Sequence, residues 1–152
     1  MDTIDLNSEA VVLVGGGFAG LATAFLLSRS VNRPKIILVE PKQRFVFVPL
    51  LYELLSGEVN LWEVAPFYRD LVEGKGIILI QDLVTRIDTN QKIITTSSGA
   101  LINYSKLVLS TGSKTDDLGI RGISHHALMF NNLSDVHLLT KLISDVQQSD
   151  HQ

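Results

Sequence analysis

The sequence predicts an α/β fold in which a parallel β-sheet is flanked by helices. A valine-rich apolar run occupies residues 10–14, a helical pattern of apolar residues follows at 18–30, and a second apolar run covers Ile36–Val39. Short, continuous apolar runs are typical of strands buried on both faces, as in parallel sheets. Because strand, helix and strand follow one another within about 30 residues, they form one βαβ unit. We therefore expect a Rossmann-like sheet.

Three further helices are expected after this unit. Residues 50–55 have Pro49 directly before them, a usual place for proline at the start of a helix. Residues 64–72 form a second candidate, with Pro66 in the first turn. The last helix is expected at 134–146, where apolar residues recur at helical spacing and make one apolar face.

The remaining apolar runs are expected to be strands. One continues the parallel sheet, whereas three short pieces separated by turn-forming residues predict a small antiparallel meander after the third strand. A last short run returns to the parallel sheet. In order along the chain, these strands are Ile77–Ile80, 84–87, 92–95, 100–102 and 107–109.

Length and composition indicate one domain. The 152 residues suit a single unit, which we place at 1–146, followed by a polar tail at 147–152. The net charge of −3 lacks the basic surplus of nucleic-acid-binding proteins, so no nucleic-acid partner is expected. The sequence has no cysteine, which excludes disulfides, thiolate metal sites and redox-active thiol pairs.

No membrane-spanning or export segment is expected in this sequence. No apolar run reaches the roughly 18 residues of a spanning helix. The acidic start at residues 1–5 does not resemble a signal peptide. We therefore expect a cytoplasmic location.

A glycine motif, Gly15-x-Gly17-x-x-Gly20, directly follows the first strand. In dinucleotide sites the first glycine permits a tight turn, the second lets the backbone approach a pyrophosphate, and the third allows close helix–sheet packing. The pyrophosphate lies at the helix N-terminus, here Phe18 and Ala19, where N–H groups and the helix dipole favour an anion. A purely structural turn is the alternative, but the surrounding strands and helix favour a dinucleotide site.

Glu40 ends the second strand and is the expected partner of the ribose. Its carboxylate can accept hydrogen bonds from both ribose hydroxyls and would repel a 2′-phosphate, whereas an ordinary exposed glutamate is the alternative. Pro41 and Lys42 follow directly and are included in the predicted cofactor site. For Lys42, contact with the cofactor and a solvated surface charge both remain open, and the second is the commoner case.

Thr111 and Gly112 follow the last predicted strand. Ligands of parallel sheets bind at the carboxyl ends of the strands, so a small residue and a glycine there would let the backbone approach the cofactor. A plain turn is equally compatible with the spacing.

No metal site and no catalytic side chain are predicted. His125, His126 and His137 do not have the spacing of metal ligands, and no cysteine can complete a set. The sequence contains no G-x-S-x-G, so Ser/His/Asp catalysis has no support.

Several segments together resemble one family of flavoproteins. Residues 11–20 match its FAD turn, and Glu40 matches its ribose acid. Residues 45–53 resemble its F-x-P-L-L-Y segment, and residues 104–112 resemble its Y-D-x-L-V-x-A-T-G segment. The sequence is therefore similar to the N-terminal FAD-binding part of type II NADH dehydrogenases, the rotenone-insensitive NAD(P)H:quinone oxidoreductases. Residues 62–66 look most like cyanobacterial and plastid members.

The resemblance implies FAD as the cofactor and electron transfer from NAD(P)H through FAD to a quinone. It also implies that the backbone near Pro49 approaches the flavin and that Val84 lies against the adenine, with core packing as the alternative for both. Family members continue into a second glycine motif that binds NAD(P)H, and none follows Gly20 here. We therefore expect residues 1–146 to be a partial FAD-binding domain that is inactive alone.

Two other functions remain open. The chain could be a non-catalytic dinucleotide-binding module that assembles with a partner chain, or with itself through exposed apolar surface. It could also be an NAD-binding dehydrogenase domain that uses the same Glu40. Peripheral membrane association is implied only by the resemblance.

Overall fold

The computed structural model describes residues 10–116 and 118–149, apart from the side chain of Ser124. These residues divide into two compact units. The first comprises the described residues up to Phe45 together with Phe67–Gly112. The second comprises Val46–Pro66 and the described residues from Ser113 onward.

The strands and helices come in the predicted order, except that two helices replace the one expected at 64–72 and that the short helix Ile123–His126 was not predicted. The strands are β1 (Val11–Val14), β2 (Ile36–Val39), β3 (Ile77–Ile80), β4 (Val84–Asp88), β5 (Ile93–Thr96), β6 (Leu101–Asn103) and β7 (Lys106–Leu109). The helices are α1 (Phe18–Ser28), α2 (Leu51–Ser56), α3 (Leu61–Val64), α4 (Tyr68–Val72), α5 (Ile123–His126) and α6 (Leu133–Ser149), with a 3₁₀ turn at Val48–Leu50 before α2.

The first unit contains a four-stranded parallel sheet in the order β3-β2-β1-β7. Val14 at the end of β1 lies opposite Val39, the last residue of β2, and Leu109, the last residue of β7. Because the strands are parallel and end in register, their carboxyl ends form one edge. This topology confirms the predicted Rossmann-like sheet and the return of the last strand, β7, to it. The place of β7 beside β1 was not predicted.

Both faces of the sheet are covered, which explains its unbroken apolar strands. On one face Val12 packs with Ile94 and Ile102 of the antiparallel sheet β4-β5-β6, the predicted meander. On the other face Leu13 packs with Leu21 of α1 and with α4. Full burial of a side chain of this size stabilises the fold by about 1.5–3 kcal/mol, so this core fixes the sheet edge described below.

The single helix predicted at 64–72 is wrong, because the structure has two short helices there. Pro66 has no N–H group and restricts the residue before it to extended conformations. Ala65 has φ −134° and ψ 67°, which is outside the helical region, and α3 ends at Val64. The chain restarts as α4 at Tyr68, whose N–H group donates to the Gln43 carbonyl at 3.0 Å.

The last helix is longer than predicted and lies in the second unit. Asn132 caps its start, since the Asn132 side-chain oxygen accepts the Asp135 N–H at 3.0 Å. The helix runs to Ser149, so residues 147–149, predicted as tail, are helical, while 150–152 lie outside the described residues. Val136 of this helix packs with Leu51 and Val64 in the core of the second unit.

Candidate functional site

Three strand ends meet at the carboxyl edge of the parallel sheet. Gly15, Glu40 and Ser110 directly follow β1, β2 and β7. The Gly15 N–H donates to the Val39 carbonyl at 2.9 Å, and the Ser110 N–H donates to the Val14 carbonyl at 2.8 Å. Ligands of open α/β sheets bind outside this edge, so we expect the ligand site there.

The glycine turn, residues 15–20, has a separate structural reason for each glycine of the motif. Gly15 has a φ of +98°, and a side chain on it would overlap the Ser110 carbonyl oxygen. A Cβ atom on Gly20 would overlap the Gly15 carbonyl oxygen, so only glycine permits this approach of α1 to the strand. A Cβ on Gly17 would have nothing within 4 Å. Gly17 therefore leaves open space where a ligand can approach the backbone.

Helix α1 begins at this open position. Gly17 is its N-cap, and no side chain caps the helix. The first N–H groups of a helix lack intrahelical acceptors and carry the positive end of the helix dipole. Because Phe18 and Ala19 are exposed there, the helix start suits an anionic group.

Glu40 is buried, with 7% of its surface exposed, and its carboxylate is held by backbone donors. One oxygen, Oε2, accepts the Gly16 N–H at 2.7 Å, and the other, Oε1, accepts the Lys42 N–H at 2.9 Å. A carboxylate offers about four acceptor positions. Two are therefore available for further donors.

A cleft of about 190 Å³ opens at this edge, and we call it the edge cleft. Its volume is below the roughly 300–1,000 Å³ of sites that enclose a whole small ligand, so it suits one part of an extended ligand. Six of the residues predicted from sequence line it, together with four others. The lining residues are Val14, Gly15, Val39, Glu40, Pro41, Lys42, Asp82, Leu83, Val84 and Thr111.

The other predicted residues lie outside the edge cleft. Gly17 and the first residues of α1 are exposed beside the glycine turn, and Gly20 is packed within it. Gly112 follows β7 with a φ of +75° and open space around it. Pro49 is an exposed residue of the 3₁₀ turn in the second unit.

Asp82 also lines the edge cleft, and no sequence pattern predicted it there. Its carboxylate accepts hydrogen bonds from the Leu83 N–H at 2.7 Å, from the Ser98 hydroxyl at 2.6 Å and from the Ser97 hydroxyl. The Ser97 hydroxyl has the largest effect and the Ser98 hydroxyl the next, and together they hold the pKa of Asp82 well below its usual range. Asp82 thus ties the lining of the cleft to the turn between β5 and β6. An aspartate beside a strand and a later Ser-Ser-Gly turn were the available signals.

The described part of the chain has neither a metal-binding cluster nor a membrane-crossing helix. No group of three or more His, Asp or Glu side chains there could hold a metal ion. Among the same residues, no helix has the length and apolar character that a membrane crossing requires.

The chain belongs to the pyridine nucleotide-disulphide oxidoreductase family, whose model matches residues 9–148. Within that family its relatives are NAD(P)H:quinone oxidoreductases. It is 32% identical over 148 residues to demethylphylloquinone reductase NdbB of Synechocystis sp., covering 92% of this chain and 37% of the relative. It is 34% identical over 163 residues to alternative NAD(P)H-ubiquinone oxidoreductase C1, chloroplastic/mitochondrial, of Arabidopsis thaliana, covering 96% and 31%. The predicted resemblance is confirmed.

Solved structures show the same fold. Sulfide:quinone oxidoreductase from Aquifex aeolicus superposes with a TM-score of 0.83 at 26% identity, over 92% of this chain and 32% of that one. NDH2 from Plasmodium falciparum in complex with NADH gives 0.79 at 22% identity, over 96% and 31%. The chain thus spans about a third of the length of the relatives it matches.

Proposed function

We propose that this chain forms the FAD-binding part of an NAD(P)H:quinone oxidoreductase. The observation that carries the proposal is the carboxyl edge of the sheet, where Gly15 and the Glu40 carboxylate line one cleft and the glycine turn leads into the exposed, uncapped start of α1. The glycine turn and the helix start suit an anion, the Glu40 carboxylate suits a ribose diol, and the edge cleft suits a base.

In this proposal the first unit holds the adenosine diphosphate part of FAD. The start of α1, with Gly17, Phe18 and Ala19, would receive the pyrophosphate through backbone N–H groups. Glu40 would accept the ribose hydroxyls with its remaining acceptor positions. The adenine would enter the edge cleft, whose lining includes Val84 and Thr111.

The contributions of the remaining predicted residues follow from their positions. Gly15 and Gly20 shape the turn rather than contact the ligand through side chains. Pro41 and Lys42 form one wall of the edge cleft, where the Lys42 ammonium group would offset the charge of Glu40 and the pyrophosphate. Gly112 would let the backbone approach the cofactor. Pro49 belongs to the proposal through the resemblance, as a neighbour of the flavin ring.

A bound FAD would supply the redox chemistry, the transfer of two electrons from a reduced nicotinamide to an acceptor. The residues described here bind and orient the cofactor, and none is assigned as an acid or base. Because the relatives are about three times as long, we propose that binding of NAD(P)H and quinone needs protein sequence beyond these 152 residues. That sequence could belong to the same polypeptide or to a partner chain.

A titration with three ligands tests the choice of cofactor. FAD and NAD share the adenosine diphosphate part, whereas FMN has the flavin without it. We expect FMN to bind weakly, because the proposed site recognises adenosine diphosphate. We expect FAD to bind more tightly than NAD, because the resemblance makes Pro49 a neighbour of the flavin ring. Tighter binding of NAD than of FAD would overturn the proposal in favour of an NAD-binding dehydrogenase domain.

A further inference from the structure

Tyr68, the first residue of α4, contacts the glycine turn at Gly16. It has no role in the proposed function described above. Its hydroxyl group donates a hydrogen bond of 2.8 Å to the carbonyl oxygen of Gly16, although 52 positions separate the residues. The side chain is only 3% exposed. The ring packs edge-to-face on Phe45, with centroids 6.3 Å apart, and Phe45 packs in the same way on Phe18 at 5.1 Å. Tyr68 is therefore held in place by packing as well as by the hydrogen bond.

The same contact explains a glycine that the dinucleotide motif does not require. Gly16 occupies a variable position of G-x-G-x-x-G. A Cβ atom on Gly16 would lie 2.6 Å from the Cε1 atom of Tyr68, closer than a carbon–carbon contact allows. The tyrosine ring thus occupies the space that a side chain at position 16 would need.

The hydrogen bond also determines the direction of the next N–H group. In a trans peptide the carbonyl and the N–H of the following residue point in opposite directions. Since the Gly16 carbonyl points towards Tyr68, the Gly17 N–H points away from Tyr68, towards the open side of the turn. The Gly16 N–H is fixed separately by Glu40 at 2.7 Å. Both peptide groups of Gly16 therefore have a defined orientation before any ligand binds.

We infer that Tyr68 is a positioning residue that orients the Gly17 N–H towards the pyrophosphate of the cofactor. The inference rests on the proposed function, because the anion in question is that of the bound dinucleotide. Burial and the nearby Glu40 charge raise the pKa of Tyr68 above its ordinary value, so its hydroxyl remains a donor at neutral pH. Without this donor the peptide would have to be ordered during binding, which lowers affinity.

The variant Tyr68→Phe removes the hydroxyl and keeps the ring. Its matched control is Tyr104→Phe, because Tyr104 is also buried in the first unit, at 7% exposure, and donates to the Asp88 carbonyl at 3.4 Å. The probes are ADP, which carries a pyrophosphate, and adenosine, which does not. Since a net hydrogen bond corresponds to roughly a 3- to 10-fold change in an equilibrium constant, Tyr68→Phe should weaken ADP binding by that factor and leave adenosine binding within about twofold.

Tyr104→Phe should leave the affinity for both probes unchanged. The amide resonance of Gly17 in the ligand-free chain gives a second readout, and it should shift in Tyr68→Phe but not in Tyr104→Phe. If Tyr68→Phe weakened the binding of ADP and adenosine equally, or kept the wild-type affinity for ADP, the inference would be overturned. The proposed function would not be affected by either result. A wild-type chain that binds neither ADP nor FAD would overturn the proposed function and this inference with it.

Discussion

The carboxylate of Glu40 accepts a hydrogen bond of 2.7 Å from the Gly16 N–H, although 24 positions separate the two residues. The bond joins the end of β2 to the turn that follows β1. Glu40 also lines the edge cleft. One carboxylate therefore shapes the backbone of the turn and faces the place where the ribose is proposed to bind.

Replacing Glu40 by glutamine should weaken both the turn and cofactor binding. The amide keeps one oxygen acceptor but turns an NH₂ group towards one of the two backbone donors, which then lacks an acceptor. An unsatisfied buried donor costs roughly 1–3 kcal/mol. We expect a lower melting temperature and a roughly tenfold weaker affinity for FAD, measured by thermal denaturation and flavin fluorescence titration.

The control for this change is Glu73→Gln, because Glu73 is exposed in the same unit. It should change neither quantity appreciably. An affinity of Glu40→Gln for FAD equal to that of the wild-type chain would contradict the assignment of Glu40 to the ribose.

Alanine at two glycines of the turn should separate folding from binding. Gly20→Ala places a methyl group onto the Gly15 carbonyl, and because this neighbour is backbone, the helix must move. Such overpacking typically costs about 1–3 kcal/mol, so the melting temperature should fall.

In Gly17→Ala the added methyl group has nothing within 4 Å, so this variant should fold normally. It should nevertheless lose affinity for FAD, because the methyl group obstructs the pyrophosphate. Melting curves and FAD titrations of both variants test this, and tight FAD binding by Gly17→Ala would argue against the pyrophosphate position.

The pH dependence of stability should reveal Asp82. Its pKa is lowered in the folded state by the hydroxyls of Ser97 and Ser98. A lowered pKa means that the charged carboxylate stabilises the fold above the ordinary pKa of an aspartate, about 4, and that this contribution is lost as the pH falls further. The melting temperature of Asp82→Asn should therefore lie below that of the wild-type chain by a constant margin near neutral pH. This difference in melting temperature should shrink in acid, below about pH 4.

The comparison for this prediction is the variant Asp70→Asn. Asp70 is exposed and forms an ion pair with the exposed Arg69, at 3.3 Å, and exposed ion pairs contribute about 0–1 kcal/mol. Its margin should be small at every pH. A pH-independent margin for Asp82→Asn would show that the hydrogen bonds, and not the charge, carry the effect.

The 152-residue chain should bind FAD without catalysing steady NADH-dependent quinone reduction. Its sequence contains one glycine motif, and no second one follows Gly20. The assay follows NADH oxidation with a soluble quinone analogue, and a full-length type II NADH:quinone oxidoreductase, such as that of Staphylococcus aureus, is the positive control. Sustained turnover by the chain alone would contradict the prediction.

Sequence patterns were sufficient for the sheet and the glycine turn because both depend on local signals. Continuous apolar runs predicted the strands from β1 to β3, and the glycine motif predicted the open position at Gly17. The prediction of one helix across Pro66 was wrong because a proline is compatible both with the first turn of a helix and with a break between two helices. The hydrogen bond from the Tyr68 N–H to the Gln43 carbonyl, a long-range contact, favours the break.

Long-range contacts account for what the sequence did not predict. Asp82 and Ser97 are 15 positions apart, and Tyr68 and Gly16 are 52 apart, with no periodic pattern that links them. Such pairs become visible only when the sheet brings distant turns together. The cleft residue Asp82 and the positioning role of Tyr68 therefore required the fold.

The flavin content of the wild-type chain tests the central proposal most directly. The chain would be equilibrated with FAD, freed of unbound flavin, and measured for protein-bound flavin by its absorption bands, with Gly17→Ala treated in parallel. We expect one FAD for each wild-type chain and a large loss of bound flavin in Gly17→Ala. A wild-type chain that retains no flavin under these conditions, while binding NAD, would contradict it.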